Sequence, residues 1–201
     1  MTEAPEIIVP HVANVAQVTH VRSTLLQSSL AGLKERGHFA AWFDNIAPEH
    51  RDLIVETVAP VWIPTEAAIA HYLACEAINL SSAEQVALSE TLGNRMQSLF
   101  LSSVTKAAKH AGVTPWTPVP HFGRVWARLF MGGSTQLTRV GPKDLQLEMK
   151  GLSLVQVPYF RLGFAAIVRS ALKVFGARSA YVKVAGYREG TDELTFLASW
   201  V

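Results

Sequence analysis

The sequence is poor in charged residues and in cysteine. Only 17% of its 201 residues are Asp, Glu, Lys or Arg, whereas about 25% is usual in globular proteins. The single cysteine, Cys75, excludes an intramolecular disulfide and a cysteine-rich zinc site. The hydrophobic set reaches 49%, so we expect a globular chain with apolar surface left to line a cavity, form a dimer face or touch a membrane.

Long apolar runs are also missing. Stretches such as Gly163–Val168 are far shorter than the ~20 residues of a membrane-spanning helix. The first residues are acidic and lack the basic and apolar regions of a secretory signal. We therefore expect a cytoplasmic protein without integral membrane association.

Acidic residues outnumber basic ones in the first 120 residues, and basic residues outnumber acidic ones in the last 81. Residues 1–120 hold 7 Lys/Arg and 11 Asp/Glu, a balance of −4, whereas residues 121–201 hold 11 and 5, a balance of +6. The basic residues form no run of the kind that binds nucleic acid. We interpret the asymmetry as a solvated face or as pairing within one domain, with a basic face for anionic lipid as the alternative, and we predict no nucleic-acid partner.

The hydrophobic pattern changes from helical to strand-like along the chain. Apolar residues recur at helical spacing as far as Met131, for example at Leu25, Leu26, Leu30 and Leu33, and a helix is predicted over Arg95–His110. Ser81 or Ser82, with Glu84 and Gln85, fits a capping box, and Gly37 and Gly176 are predicted to end helices. Residues 144–150, 179–186 and 194–200 alternate as strands do, and a helix is predicted for Pro158–Phe175. The predicted fold is α+β: one domain over residues 1–201, with a helical part (about 17–131) packed on a small antiparallel sheet (about 144–201) formed by a strand–helix–strand–strand unit.

An aromatic segment is predicted to form a helix over His121–Met131. Phe122, Trp126 and Phe130 are spaced by four, and Arg124 and Arg128 fall on a neighbouring face. This pattern is typical of a wall of an apolar ligand pocket or of a dimer surface with arginine at its rim. Ordinary core packing is the alternative.

His71 and Cys75 are four residues apart on one predicted helix and share a face. Two metal ligands can have this spacing, but the sequence offers no further cysteine to complete a zinc site. A Cys–His nucleophile would need an orienting group and an oxyanion site, for which there is no motif. A core cysteine beside a buried histidine, or a histidine that ligates haem, are the other interpretations.

Several segments together resemble a known group of proteins. They are Ser23, Leu25-Leu26 and Gly37, then Pro48 and Arg51, Trp62-Ile63-Pro64, Gly93, and the closing Gly186, Gly190-Thr191-Asp192, Phe196 and Ser199-Trp200. In this order they resemble an uncharacterised myxobacterial paralogous family. The closing strand–helix–strand–strand unit is similar to the superfamily of 4-vinyl-reductase-associated domains, haem–nitric oxide binding domains and transport-particle subunits.

This resemblance implies a ligand-binding sensor or an assembly module. The chain departs from two patterns of the superfamily. It has no Tyr-x-Ser-x-Arg motif, which holds the haem propionates in haem–nitric oxide domains, and no cysteine pair in the terminal hairpin.

The sequence therefore predicts a sensory or adaptor domain that is not an enzyme and needs no cofactor. We expect it to be a homodimer with an apolar small-molecule ligand. The residues predicted to line the pocket are Trp62, His71, Cys75, Trp126 and Phe130. The alternatives are a protein–protein interaction module without a ligand and a haem-based gas sensor.

Overall fold

Helices fill the N-terminal part of the computed structural model, which describes residues 4–57, 60–81, 83–91 and 114–201. None of the helices within these ranges is long and apolar enough to cross a bilayer. The helix predicted from Arg95 to His110 lies outside the described residues. The helices are α1 (Ser23–Glu35), α2 (Phe39–Asn45), α3 (Pro48–Val55), α4 (Thr65–Ala77), α5 (helical residues 83–91), α6 (Phe122–Leu129) and α7 (Pro158–Val174).

Local signals in the sequence set several helix ends. The backbone N–H of Glu84 donates to Ser81 Oγ over 3.3 Å, and that of Ser81 donates to Glu84 Oε2 over 3.0 Å. This reciprocal pair is the predicted capping box. The hydrogen bond from the Ser81 hydroxyl also lowers the pKa of Glu84. Gly37 and Gly176, with φ of +77° and +97°, follow the ends of α1 and α7 as predicted.

An antiparallel five-stranded sheet forms the second layer, in the order β1-β5-β6-β8-β7. The predicted strands are confirmed as β6, β7 and β8. The sheet is wider than predicted, because it also includes β1 and β5 from outside residues 144–201. The strands are β1 (Glu6–Val9), β2 (His20–Arg22), β3 (Trp62–Pro64), β4 (Phe130–Met131), β5 (Ser134–Gly141), β6 (Asp144–Lys150), β7 (Ala180–Tyr187) and β8 (Glu193–Trp200).

The predicted helix over His121–Met131 is wrong at its C-terminal end. Helix α6 stops at Leu129, and Phe130 is extended and pairs with Val21 in the small sheet β3-β2-β4. Gly132 allows the backbone at position 132 to lie close to that of Gln17, since a Cβ on Gly132 would lie 2.3 Å from the carbonyl oxygen of Gln17. Backbone pairing with β2 thus overrides the helical spacing of the aromatic residues.

Helix α7 joins the two layers. It packs against β7 and β8 on one side and against α4 on the other, and 11 of its 17 residues are buried. The backbone N–H of Tyr159, in the first turn of α7, donates to Glu76 Oε2 of α4 over 2.8 Å. A carboxylate at this end of a helix is favourable because the helix dipole is positive there.

We expect Glu76→Ala to lower the free energy of unfolding by about 1–2 kcal/mol, because it leaves a first-turn N–H of α7 without its carboxylate acceptor. Urea unfolding followed by circular dichroism measures the change. The matched control is Glu90→Ala, a change at an exposed helical glutamate. Equal stability of the two variants would contradict the proposed role of the Glu76 contact.

Candidate functional site

An apolar cavity lies between α6, α7 and one face of the five-stranded sheet. The space open to the centre of a water-sized sphere is about 40 Å³. Its sheet wall includes Leu137 and Leu147, which are in register on β5 and β6. The remaining lining residues are Pro115, Pro118, Val119, Phe122, Val125, Trp126, Leu129, Leu145, Phe164, Ile167, Val168, Ala171 and Leu172.

The wall of the cavity is apolar even at its tryptophan. The indole nitrogen of Trp126 donates to the carbonyl oxygen of Gly132 over 2.9 Å, so its one polar group is already satisfied. Phe164 lines the cavity from α7, and its ring stacks on Phe196 of β8 with centroids 6.1 Å apart. The described lining carries no ionisable side chain, and the cavity therefore suits an uncharged, apolar molecule.

A proline-rich loop closes one end of the cavity, and Trp116 ties this loop to the ends of strands β5, β6 and β8. Its indole nitrogen donates to the carbonyl oxygen of Pro142 over 3.0 Å. The same ring lies edge-on to Trp200 at 4.8 Å, and the Arg139 guanidinium lies 4.2 Å from its centroid. These contacts place Pro115, Pro118 and Val119 over the cavity.

The structure does not bring the five residues predicted to line the pocket together in one place. Trp126 lines the cavity. Phe130 contacts the Trp126 ring at 4.4 Å between centroids, on the side of the small sheet. His71 and Cys75 belong to a separate buried cluster on α4, and Trp62 is half-buried on β3.

The His71–Cys75 cluster is fully buried and closely packed. The Cys75 Sγ and His71 Nε2 atoms are 3.7 Å apart, within range of a weak hydrogen bond. The His71 ring centroid lies 5.5 Å from that of Trp42 and 4.9 Å from that of Tyr72. Among the described residues, neither His71 Nδ1 nor the indole nitrogen of Trp42 has a hydrogen-bond partner.

Burial controls the protonation of this cluster. Desolvation lowers the pKa of His71 from 6.5 to about 3, so the imidazole is neutral at physiological pH. Desolvation also raises the pKa of the Cys75 thiol and of the Tyr72 phenol. A neutral imidazole beside a protonated thiol is typical of core packing, because a nucleophilic cysteine requires the thiolate.

Trp62 has a surface role. The Arg22 guanidinium lies 4.2 Å from the centroid of its indole ring, and Arg22 Nη1 donates to the carbonyl oxygen of Pro60 over 3.3 Å. Arg22 and Trp62 are also paired residues of β2 and β3. The stacked pair lies at the edge of the small sheet, and neither of its residues lines the cavity.

The sequence does not predict that most of these residues line a cavity. Leu145 and Leu147 lie on a predicted strand, and Phe164, Ile167 and Val168 on a predicted helix, but as expected core residues. Leu137 lies on β5, which the sequence does not predict. Only the apolar spacing of α6 and α7 signals this wall, and spacing cannot distinguish a filled interface from one with a cavity. Among the described residues, no group of three or more His, Cys, Asp or Glu side chains could hold a metal ion.

Solved structures with a similar fold include H-NOX domains. One is a mutant of the unliganded Fe(II) H-NOX protein from K. algicida, with a TM-score of 0.63 and 12% identity over 90% of this chain and 96% of that one. Another is an oxygen-binding H-NOX domain related to soluble guanylate cyclases, with a TM-score of 0.56 and 10% identity over 89% and 94%. These similarities show that the chain has an H-NOX-like fold.

Sequence comparisons add no closer family. No protein-family model matches the chain, and no curated protein matches it. The resemblance to a myxobacterial paralogous family is therefore unsupported, whereas the similarity to haem–nitric oxide binding domains is confirmed at the level of the fold.

We expect His71→Phe to reduce the acid sensitivity of the fold. As the pH is lowered below 6.5, His71 becomes protonated in the unfolded chain, whereas in the folded chain it stays neutral down to about pH 3. The free energy of unfolding therefore decreases as the pH is lowered from 6.5 to 3. The slope contributed by one such group is at most about 1.4 kcal/mol per pH unit. Urea unfolding at a series of pH values measures it, with His121→Phe as the control at a partly exposed histidine. Parallel pH profiles for the wild type and His71→Phe would refute the assignment.

Proposed function

We propose that this protein is a sensory domain that binds a small, uncharged, apolar molecule in the cavity between α6, α7 and the sheet. It binds this ligand without catalysing a reaction and without a cofactor. The observation that carries the proposal is the apolar cavity of about 40 Å³. Close packing normally leaves few voids larger than a water molecule, and an empty apolar cavity reduces the stability of a core.

The size of the cavity limits the ligand class. One water-sized sphere needs about 10–15 Å³ of such space, so the cavity holds a molecule of two or three heavy atoms. Pockets for drug-sized ligands are about 300–1,000 Å³. A dissolved gas, such as a diatomic molecule, has the required size and lack of charge.

Haem is the group that the fold similarity suggests, since the solved neighbours include Fe(II) H-NOX proteins. The described residues of this chain do not fit it. The cavity of about 40 Å³ is far too small for a porphyrin, and His71 is enclosed by Trp42, Tyr72 and Cys75. The proposed binding of the small molecule is therefore independent of haem.

Helix α7 is the element suited to report occupancy of the cavity. Phe164, Ile167 and Ala171 face the cavity from this helix. The first turn of the same helix is held by Glu76 of α4, and its other side packs against β7. A ligand that shifts α7 by a small amount would thus act on both layers of the fold, because closely packed elements move together.

A cytoplasmic homodimer remains part of the proposal. Helices α3 and α4 pack on each other and expose Leu53 and Leu73, whose side chains are 43% and 52% accessible. Exposed leucines on neighbouring helices favour burial against a second copy. A buried, protonated Cys75 as the single cysteine is compatible with a reducing compartment.

We expect xenon, an apolar probe, to bind the wild-type protein at one internal site and to shift the amide signals of residues that line the cavity. Leu147→Ala should enlarge the cavity, lower the free energy of unfolding by about 2–5 kcal/mol and strengthen xenon binding. Two-dimensional NMR under xenon pressure and urea unfolding measure these effects.

The matched control is Leu154→Ala, a fully buried leucine that does not line the cavity. It should destabilise the fold by a similar amount without changing the xenon shifts at Ile167 and Ala171. Ala171→Leu, which fills the cavity, should abolish them. Xenon shifts that are equal in all four proteins, or absent from the wild type, would overturn the proposed cavity function.

Added haem should remain in its free form. Absorption spectra recorded during titration of the purified protein with haem are expected to show no sharp histidine-ligated Soret band, because the cavity between α6, α7 and the sheet is far too small for the macrocycle. A stoichiometric Soret shift would contradict the haem-independent proposal and would support the gas-sensor alternative.

A further inference from the structure

The surface formed by α7 and β7 is charged with one sign. Residues 149–188 contain no Asp or Glu and seven Lys or Arg. Lys150 forms an ion pair with Glu193, and Arg161 stacks on Tyr187. The other five do not pair with a carboxylate of any described residue, and they define the basic edge: Arg169, Lys173, Arg178, Lys183 and Arg188.

Strand β7 is at the edge of the five-stranded sheet and is exposed over most of its eight residues. Tyr181 is 73% accessible and Val184 is 44% accessible. An exposed edge strand presents unpaired backbone N–H and C=O groups, which another extended chain can pair with. Neither proline nor an acidic residue interrupts β7.

Cations stand on both faces of this edge. Val182 is in register with Ala198 on the face covered by α7, and Arg169 of α7, Val182 and Lys183 border one groove at this edge. Lys183 is in register with Leu197 on the opposite face. The side chains of an added strand would point alternately to the two faces, so acidic residues on either face would meet a cation. The one acid of the groove, Asp144, already accepts a hydrogen bond from Ser199.

A second copy of β7 is a poor occupant of the edge. Two identical strands would bring the unpaired cations of both basic edges together, and like charges on adjacent strands destabilise their pairing. The charge of the edge instead complements an acidic chain, and the exposed backbone requires that chain to be extended.

We propose that β7 is the docking strand for an acidic, extended segment of a partner protein, which adds to the sheet as a sixth strand. Backbone hydrogen bonds along β7 supply the pairing, and the basic edge selects acidic sequences. This inference is independent of the cavity, so either proposal can fail without the other.

A fluorescein-labelled peptide of about eight residues, the length of β7, tests the proposal. Its sequence, Val-Glu-Glu-Val-Glu-Glu-Val-Thr, places glutamates on both faces of a strand. We expect it to bind the full-length protein in fluorescence anisotropy, to bind more weakly at high salt, and to protect the amides of residues 180–187 from hydrogen exchange.

Three controls separate charge from strand pairing. Lys183→Glu combined with Arg188→Glu should weaken binding by about tenfold, because two attractions become repulsions. Arg124→Glu, the same change on α6, should leave it unaltered. The acidic peptide methylated at alternate backbone nitrogens, which cannot pair with the edge, should not bind.

Several outcomes would overturn the proposal. One is that the acidic peptide fails to bind. Another is that the methylated peptide binds equally, which would show that charge alone is recognised. A third is that phosphatidylserine vesicles or duplex DNA bind through Lys183 and Arg188 while the peptide does not, which would assign the basic edge to a membrane or to nucleic acid.

Discussion

The burial of α7 between the sheet and the helical part is the interaction on which the rest of the structure depends. Its apolar residues contact β7 and β8 on one side, and the backbone N–H of Tyr159 in its first turn donates to the carboxylate of Glu76 from α4. No disulfide supports this arrangement, because Cys75 is the only cysteine. Removal of apolar surface from water therefore supplies the main stabilisation, as expected for a chain with few charges.

The same packing explains both proposed sites. Between α7, α6 and Leu137, Leu145 and Leu147 of the sheet, the apolar side chains meet without filling all the space. The same helix, α7, covers one face of β7 and leaves the edge of that strand and its Lys183 exposed. One helix thus borders both the proposed site for a small apolar molecule and the proposed surface for an acidic strand.

Local signals were sufficient to predict much of the fold. The helical spacing of Leu25, Leu26 and Leu30, the Ser81–Glu84 box and the alternation of residues 144–150 all depend on near neighbours in the sequence. Strand β5 was missed because Ser134–Gly141 has only two large apolar residues and lacks a clear alternation. Phe130 was assigned to a helix because its spacing from Phe122 and Trp126 is helical, whereas its strand partner, Val21, is more than a hundred residues away.

The candidate sites show the same difference between short-range sequence patterns and contacts between distant segments. The sequence by itself determined the α+β fold class, the apolar character of α6 and α7, and the excess of positive charge near the C-terminus, because these follow from composition and short-range periodicity. Only the tertiary structure decided that Trp126 lines a cavity while His71 and Cys75 lie in a separate cluster, and that β7 is an edge strand. A cavity and a sheet edge depend on how distant segments meet, and spacing along one segment carries no information about that distance.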